Sequence, residues 1–334
     1  MRLRSLFLMA VLGATAFAQA RANETLTVYT HPSFAAEWGP GPAVKAAFEQ
    51  QCDCTLQYVV LDSGGDILQR LRLEGASSQA DVVLGLDTAT METARQTGLL
   101  APHQVSLAAL ELPVAWRDEL FVPYDWGYFA FVYDTEQLPN PPTSLDELIG
   151  APDDLKIIIQ DPRTSTPGLG LLLWMRSVYG DQAGEKWQAL KSKILTTTKS
   201  WSDGYFSLFM NGEAPMILSY STSPAYHMAI DKTDRYQAAA FEEGHYLQVE
   251  VAALVASSRH KALARRFLAF MLTPEFQREI PLKNVMYPAI ELGDELPDVF
   301  DRLIQPSQTL YLDPATVAEH RKAWLEEWLE AMSR

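Results

Sequence analysis

Cysteine, histidine and positive charge are all scarce in this chain. Two cysteines in 334 residues are too few for a disulfide-built scaffold. They stand as Cys52-Asp-Cys54, and a metal site there would need two further ligands that no His or Cys pair supplies. The six histidines, His31, His103, His227, His245, His260 and His320, are scattered without ligand-like spacing. Lys plus Arg number 27 against 42 Asp plus Glu, a formal charge of −15, which argues against a nucleic-acid binder and tolerates a cationic ligand. Beyond the N-terminus no apolar run is long enough to span a bilayer. The G-x-S-x-G elbow, the phosphate loop, H-E-x-x-H and G-x-G-x-x-G at a strand-to-helix turn are also missing, so binding is favoured over catalysis.

What is present begins with an export signal. Arg2 and Arg4 precede a 13-residue apolar run, Leu6 to Ala18, too short for a permanent membrane helix. It reads as a cleaved signal peptide over residues 1–20, with small-x-small sites ending at Ala18, Ala20 and Ala22, the first two favoured. No Cys follows where a lipid anchor would attach, so a free exported protein is expected. In an oxidising compartment Cys52 and Cys54 can form a small-loop disulfide or stay free, since the i, i+2 spacing demands a tight turn.

The remainder is 48% hydrophobic, enough for a core, and its length suits two domains or two lobes of one. Strand-like runs at 26–30, 55–61 and 80–85 alternate with helical patterns at 43–49, 67–74 and 88–97, which implies a largely parallel sheet covered by helices. The aromatic run from Phe121 to Tyr133 is extended and marks a first crossing between lobes. A second lobe follows, with strands at 155–160 and 215–220 and helices at 168–179, 184–191 and 204–211. The strand-like stretch 244–255 returns, and helices at 261–272, 274–280 and 314–332 close the chain. The expected division is 23–123 with 252–334 as lobe 1 and 124–251 as lobe 2.

Two hydroxyl-rich segments lead into proline. In Asp161-Pro-Arg-Thr-Ser-Thr-Pro-Gly168, Thr166 reads as an N-cap with Pro167 opening the helix. In Tyr220-Ser-Thr-Ser-Pro-Ala-Tyr226, Ser223 caps and Pro224 opens a short helix that carries Tyr226. Either start can serve only as a cap, or can offer backbone N–H groups to an anion.

The strings Phe34-Ala-Ala-Glu-Trp-Gly-Pro-Gly-Pro42, Ala80-Asp-Val-Val-Leu-Gly-Leu-Asp87, Gln160-Asp-Pro-Arg-Thr-Ser-Thr-Pro-Gly-Leu-Gly-Leu-Leu-Leu-Trp174 and Glu243-Gly-His-Tyr-Leu-Gln-Val-Glu-Val251 resemble the periplasmic thiamine-binding proteins of bacterial ABC importers, and the likeness runs from Leu26 to Arg334. It implies an α/β, two-lobed periplasmic-binding-protein fold of type II, each lobe a mainly parallel sheet flanked by helices, with the ligand cleft between them. It implies a monomeric periplasmic carrier, with no cofactor and no metal, that delivers thiamine or its phosphates to an inner-membrane permease and ATPase. The family's ligand contacts fall here on Ser63 and Gly64, on Ser165 and Thr166, on Trp201, on Tyr220, Ser221, Thr222, Ser223 and Pro224, and on Tyr226. Three positions depart: Ser63-Gly64 follows Asp62 where Asp-Gly is expected, His31 replaces a cleft Tyr, and Val285 replaces a Trp.

For such a ligand, Trp201 and Tyr226 are the expected π faces for the thiazolium, and hydroxyls of Ser165, Thr166, Ser221, Thr222 and Ser223 the expected donors to phosphate. Rival cargoes on the same fold make other demands. Ferric iron needs a cluster of anionic oxygens such as tyrosines, a polyamine needs carboxylates at both ends of the cleft, and a thiamine precursor or analogue needs an altered aromatic enclosure. An exported enzyme is the reading from a different class, separated by turnover of its ligand.

Overall fold

The structure, a computed structural model, describes residues 24–333; the expected signal peptide and its cleavage sites lie outside them. Twelve strands build the sheet: β1 Thr25–Thr30, β2 Thr55–Val60, β3 Val82–Asp87, β4 Leu100–Ala101, β5 Phe121–Asp134, β6 Ile157–Gln160, β7 Ile194–Thr198, β8 Met216–Tyr220, β9 Tyr236–Ala238, β10 His245–Val255, β11 Tyr287–Pro288 and β12 Thr309–Leu310. The main order is β2-β1-β3-β10-β5-β8-β6-β7. At each flank three strands run parallel, β2-β1-β3 and β8-β6-β7, and the antiparallel pair β5 and β10 joins them.

Parallel strands covered on both faces need unbroken apolar runs, and β3 and the Ile157-Ile158-Ile159 of β6 are buried throughout. The helices Gly41–Cys52 and Gly64–Glu74 connect β1, β2 and β3, while Thr166–Tyr179 and Ala183–Leu190 connect β6 to β7. Thr166–Tyr179 is buried from Pro167 to Met175, so its surroundings rather than an amphipathic stripe hold it. Its Trp174 packs on Phe131, Phe241 and His245.

Several local features depart from the expected outline. The stretch expected as a helix at 204–211 is a π-helical segment, Asp203–Leu208, followed by a 3-10 turn at Phe209–Asn211. The final helix, Pro314–Ser333, was expected with lobe 1. It instead buries Val317, Trp328 and Ala331 in the core around Trp174 and Trp187, because β12 pairs with His245 and Tyr246 of β10 and delivers the chain to the second-lobe side. Cys52 and Cys54 are bridged, with Cα atoms 5.1 Å apart, and Asp53 between them takes the left-handed conformation at φ 53° that the tight turn requires.

The joining strands are bulged at their crossing. Glu250 of β10 pairs with Asp125, but Val251 pairs with Pro123, leaving Tyr124 as the extra residue of β5. On the other side Val251 pairs with Leu86 and Ala252 with Leu84, leaving Gly85 extra at φ +110°. Bulges of this kind re-aim side chains, and these two fall on either side of Val251, immediately after Glu250.

Candidate functional site

In open α/β sheets ligands bind beyond the carboxyl ends of parallel strands, where connections diverge. Here six such ends converge. In the first half β1 leads to His31, β2 to Asp62 and Ser63, and β3 to Asp87 and Thr88; in the second β6 leads to Asp161, β7 to Lys199 and Trp201, and β8 to Ser221 and Thr222. The two sets face each other, since Lys199 Nζ lies 3.6 Å from Asp62 Oδ2 across the gap.

The cleft is rich in polar groups that the protein itself leaves unused. Among the described residues twelve buried side-chain N or O atoms have no hydrogen-bond partner. Six of them lie at these strand ends or at the crossing: Thr30 Oγ1, Asp125 Oδ1, Gln160 Oε1, Ser221 Oγ, Thr222 Oγ1 and Gln248 Oε1. A buried polar atom left unpaired costs about 1–3 kcal/mol, so six together mark a surface shaped for another molecule's donors and acceptors.

The floor of the cleft is acidic. Glu250 Oε2 accepts from the Tyr124 hydroxyl at 2.8 Å and from Asn284 Nδ2 at 3.3 Å, and Gln248 Nε2 donates to Oε1 at 3.2 Å. Asn284 Nδ2 also donates to Asp125 Oδ2 at 2.6 Å. Burial, reinforced by the Glu250 charge, pushes the Asp125 carboxyl well above its ordinary range. Burial likewise raises Tyr220, followed by the charges of Glu250, Asp87 and Asp125, which places that ring among all three carboxylates. Among the described residues neither Asp125 nor Glu250 has a salt-bridge partner; the nearby cation, Arg321, acts on Asp87. The floor therefore presents negative charge without a matching protein cation.

One wall is an aromatic platform. The Trp201 ring stacks on Tyr205 at 4.8 Å between centroids, and its Nε1 donates to Ser219 Oγ at 2.8 Å. Ser219 Oγ and Ser223 Oγ are 2.8 Å apart. Behind the stack the Tyr205 hydroxyl meets His227 Nε2, and His227 Nδ1 meets Asp231 Oδ2, both at 2.8 Å. Burial lowers the His227 pKa, so the neutral ring donates from Nδ1 to the carboxylate and accepts at Nε2 from Tyr205. Tyr205 and His227 both sit in π-helical segments, a conformation frequent at functional sites.

The expected site residues are placed as follows. Ser63 caps Gly64–Glu74, its Oγ accepting from Asp66 N at 3.2 Å. Gly64 is obligatory there, because a Cβ would stand 2.4 Å from Gly85 O. Thr166 was expected as the N-cap; the cap is Ser165, whose hydroxyl makes no capping bond, and Thr166 is the first helical residue. Ser223 was expected to cap; Thr222 holds that position, and Ser223 turns back toward Ser219 because the segment has only four helical residues, Ser223–Tyr226, with Pro224 buried inside it. Tyr220, Ser221 and Thr222 converge with Trp201 through the end of β8. Tyr226 is exposed, and its ring meets His227 edge-on at 5.8 Å, at one end of a line of rings that runs through His227 and Tyr205 to Trp201.

Of the three departing positions, His31 and Val285 border the acidic floor. His31 Nε2 approaches the Tyr124 hydroxyl at 3.5 Å, and burial holds the ring below its ordinary pKa. Val285 takes a left-handed φ of 56°, a strained conformation for a β-branched residue, immediately after Asn284. Asp125, Gln248, Glu250, Asn284 and Lys199 were not singled out from sequence. The available signal was polar residues interrupting the apolar strands Phe121–Asp134 and His245–Val255.

The sequence profile described as bacterial extracellular solute-binding protein matches residues 36–278. A thiamine-binding periplasmic protein of Brucella suis biovar 1 (strain 1330) is 52% identical, with 100% of both chains covered. One of Escherichia coli (strain K12) is 54% identical over 94% of this chain and 95% of its own. A solved periplasmic thiamin binding protein superposes with a TM-score of 0.90 at 53% identity, covering 94% of this chain and 98% of that one. Iron-bound HitA from Pseudomonas aeruginosa superposes with a TM-score of 0.75 at 21% identity, covering 92% and 99%, which is a likeness of fold.

Proposed function

This chain belongs to the bacterial extracellular solute-binding protein family, and we propose that it captures thiamine, with its mono- and diphosphate, in the periplasm and delivers it to an inner-membrane permease driven by an ATPase. It is a carrier and not an enzyme, as its relatives at 52–54% identity are named.

The observation that carries the cargo reading is the pairing of an aromatic wall with a floor of unneutralised carboxylates. Thiamine has a fixed thiazolium charge, which a well-placed Trp face attracts by about 0.5–2 kcal/mol. Glu250 supplies complementary charge, and Asp125, its pKa raised by burial and by Glu250, adds more as a cation draws off its proton, while Ser221 Oγ and Thr222 Oγ1 await partners on the adjoining strand end. For the phosphorylated forms, the helix starts at Gly64 and Thr166, which follow the ends of β2 and β6, offer backbone N–H groups to an anion. A ligand that touches both walls favours the closed arrangement of the lobes, the usual motion of this architecture. The iron-bound neighbour does not bear on cargo, since at 21% identity only the fold is shared.

Two measurements test the proposal. Mass spectrometry of small molecules released on denaturing the freshly purified protein is expected to show thiamine or its phosphates. Thiamine at about 100 times its Kd is expected to stabilise the fold by about 2.7 kcal/mol. No shift in Tm with thiamine, its monophosphate or its diphosphate at millimolar concentration would remove the assignment.

A further inference from the structure

Lys199 and Asp62 are the only ion pair, among the described residues, that joins the strand-end loops of one half to those of the other. Their N···O distance is 3.6 Å, and both side chains stand about three-quarters in solvent. Each lies beside a helix start. Thr164 Oγ1 donates to Lys199 O at 2.8 Å, fixing Lys199 against the turn that ends at Ser165. Asp62 immediately precedes Ser63, the cap of the 11-residue helix Gly64–Glu74. The other cation on these loops, Arg163, is engaged in a two-pronged contact with Asp161, and its guanidinium lies 5.9 Å from the Trp328 ring. Lys199 is therefore the cation free to change partner. The unpartnered hydroxyls Ser221 Oγ and Thr222 Oγ1, both fully buried, follow β8, which β6 separates from the β7 that leads to Lys199.

We propose that this pair reads whether the cargo is phosphorylated: Lys199 binds Asp62 when the ligand ends in a hydroxyl, and exchanges it for the terminal phosphate when the ligand is a phosphomonoester. The inference rests on the thiamine reading and adds to it the residue that sorts its phosphorylation states. An exposed carboxylate–ammonium pair contributes little, so giving it up costs little. A phosphomonoester carries about −1.5 to −2 charges near pH 7 and three strong acceptor oxygens, against one charge on Asp62. Asp62 is then the competitor, and its carboxylate also repels the incoming phosphate. The two partners of one ion pair thus have opposite effects on the same ligand, which a stabilising surface bridge does not produce.

The test is calorimetric titration of the mature protein with thiamine and with thiamine monophosphate. Asp62→Asn is expected to raise affinity for the monophosphate about three- to tenfold, and Lys199→Gln to lower it by a similar factor, with thiamine changing less than twofold in either variant. Added salt is expected to weaken the monophosphate more in the wild type than in Lys199→Gln. Equal changes for both ligands, or a lower monophosphate affinity in Asp62→Asn, would overturn the exchange and leave the thiamine reading standing. A wild-type protein that binds neither ligand would overturn both. Because both side chains are exposed, an unchanged Tm is expected and separates a ligand effect from a folding effect.

Discussion

Asp125 and Glu250 stand opposite each other on β5 and β10, and one amide, Asn284 Nδ2, donates to both carboxylates, at 2.6 and 3.3 Å. Like charges facing across a strand pair are destabilising, and a fully buried carboxylate adds a desolvation cost. Two bulges converge on this spot, and the Asn284 that bridges the pair precedes a strained Val285. A fold that maintains such an arrangement keeps negative charge ready for a cation.

The first prediction concerns protons. A cationic ligand over the pair lowers the raised pKa of Asp125, so thiamine binding is expected to be accompanied by proton release. Calorimetry in buffers of different ionisation enthalpy reads this directly. Glu250→Gln is expected to change the release and weaken thiamine about tenfold, because it removes the charge that reinforces the burial-raised pKa of Asp125 and that faces the cation. Proton release that is unchanged in that variant would dissociate the pair from the ligand.

A second prediction separates the two rings. Trp201→Ala is expected to weaken thiamine about tenfold or more, since it deletes a face, whereas Tyr226→Phe is expected to change it less than twofold, because it keeps the ring and removes only the hydroxyl. Tyr205→Phe lies between them: it keeps the stack under Trp201 but frees His227 Nε2. An intermediate loss of affinity with a changed Trp fluorescence is the expected signature, and the reverse order of Trp201 and Tyr226 would relocate the platform.

The third prediction addresses the hydroxyls. Ser165 makes no side-chain cap bond and Ser221 Oγ is buried without a partner, so neither hydroxyl holds the fold together. Ser165→Ala with Ser221→Ala is therefore expected to leave Tm within about 2 °C, or to raise it slightly, because removing an unpaired buried polar atom is neutral or favourable. The same double variant is expected to weaken thiamine monophosphate at least tenfold more than thiamine, because each hydrogen bond to a charged group is worth about 1.5–3 kcal/mol. Equal loss for both ligands with a lowered Tm would assign the serines to capping.

Acid stability gives a fourth. His245 donates from Nδ1 to Phe129 O at 2.8 Å and accepts at Nε2 from Phe241 N at 3.0 Å, an arrangement that only the neutral ring satisfies. Burial brings its pKa down to about 4 from the ordinary 6.5. A lowered histidine pKa means stability that is complete above pH 6.5 and is lost as the pH falls through 6.5 toward 4, here about 3 kcal/mol. Urea unfolding at pH 7, 5.5 and 4.5 is expected to show this decline, and His245→Phe to show a flatter one. His31 and His227, also lowered by burial, titrate in the same sense in both proteins and set the slope that remains. Equal slopes would exclude His245.

Much of the architecture was legible because it is written locally. Hydrophobic runs of strand length, as at Ile157–Gln160, alternating with helical stretches such as Gly64–Glu74, dictate a parallel sheet whatever the rest of the chain does. Proline and hydroxyl residues marked the two segment starts to within one residue, although Ser165 and Thr222 proved to be the caps rather than Thr166 and Ser223. The long family-like strings pointed to the same cleft that six strand ends enclose.

The sequence by itself thus determined the alternation of elements, the acidic balance, and the loops from which ligand contacts are drawn, because each depends on residues close together along the chain. Tertiary structure alone decided which of those residues meet. Asp125 and Glu250 are 125 positions apart and become neighbours only through the antiparallel pairing of β5 with β10. Lys199 and Asp62, on opposite halves, meet only where β2 and β7 point into one gap. Trp201 and Tyr226 are linked through Tyr205 and His227, whose π-helical turns bring those rings into one line. Pairings across such distances carry no periodicity; they follow from strand order and register, which the burial of both sheet faces fixes for the whole chain at once.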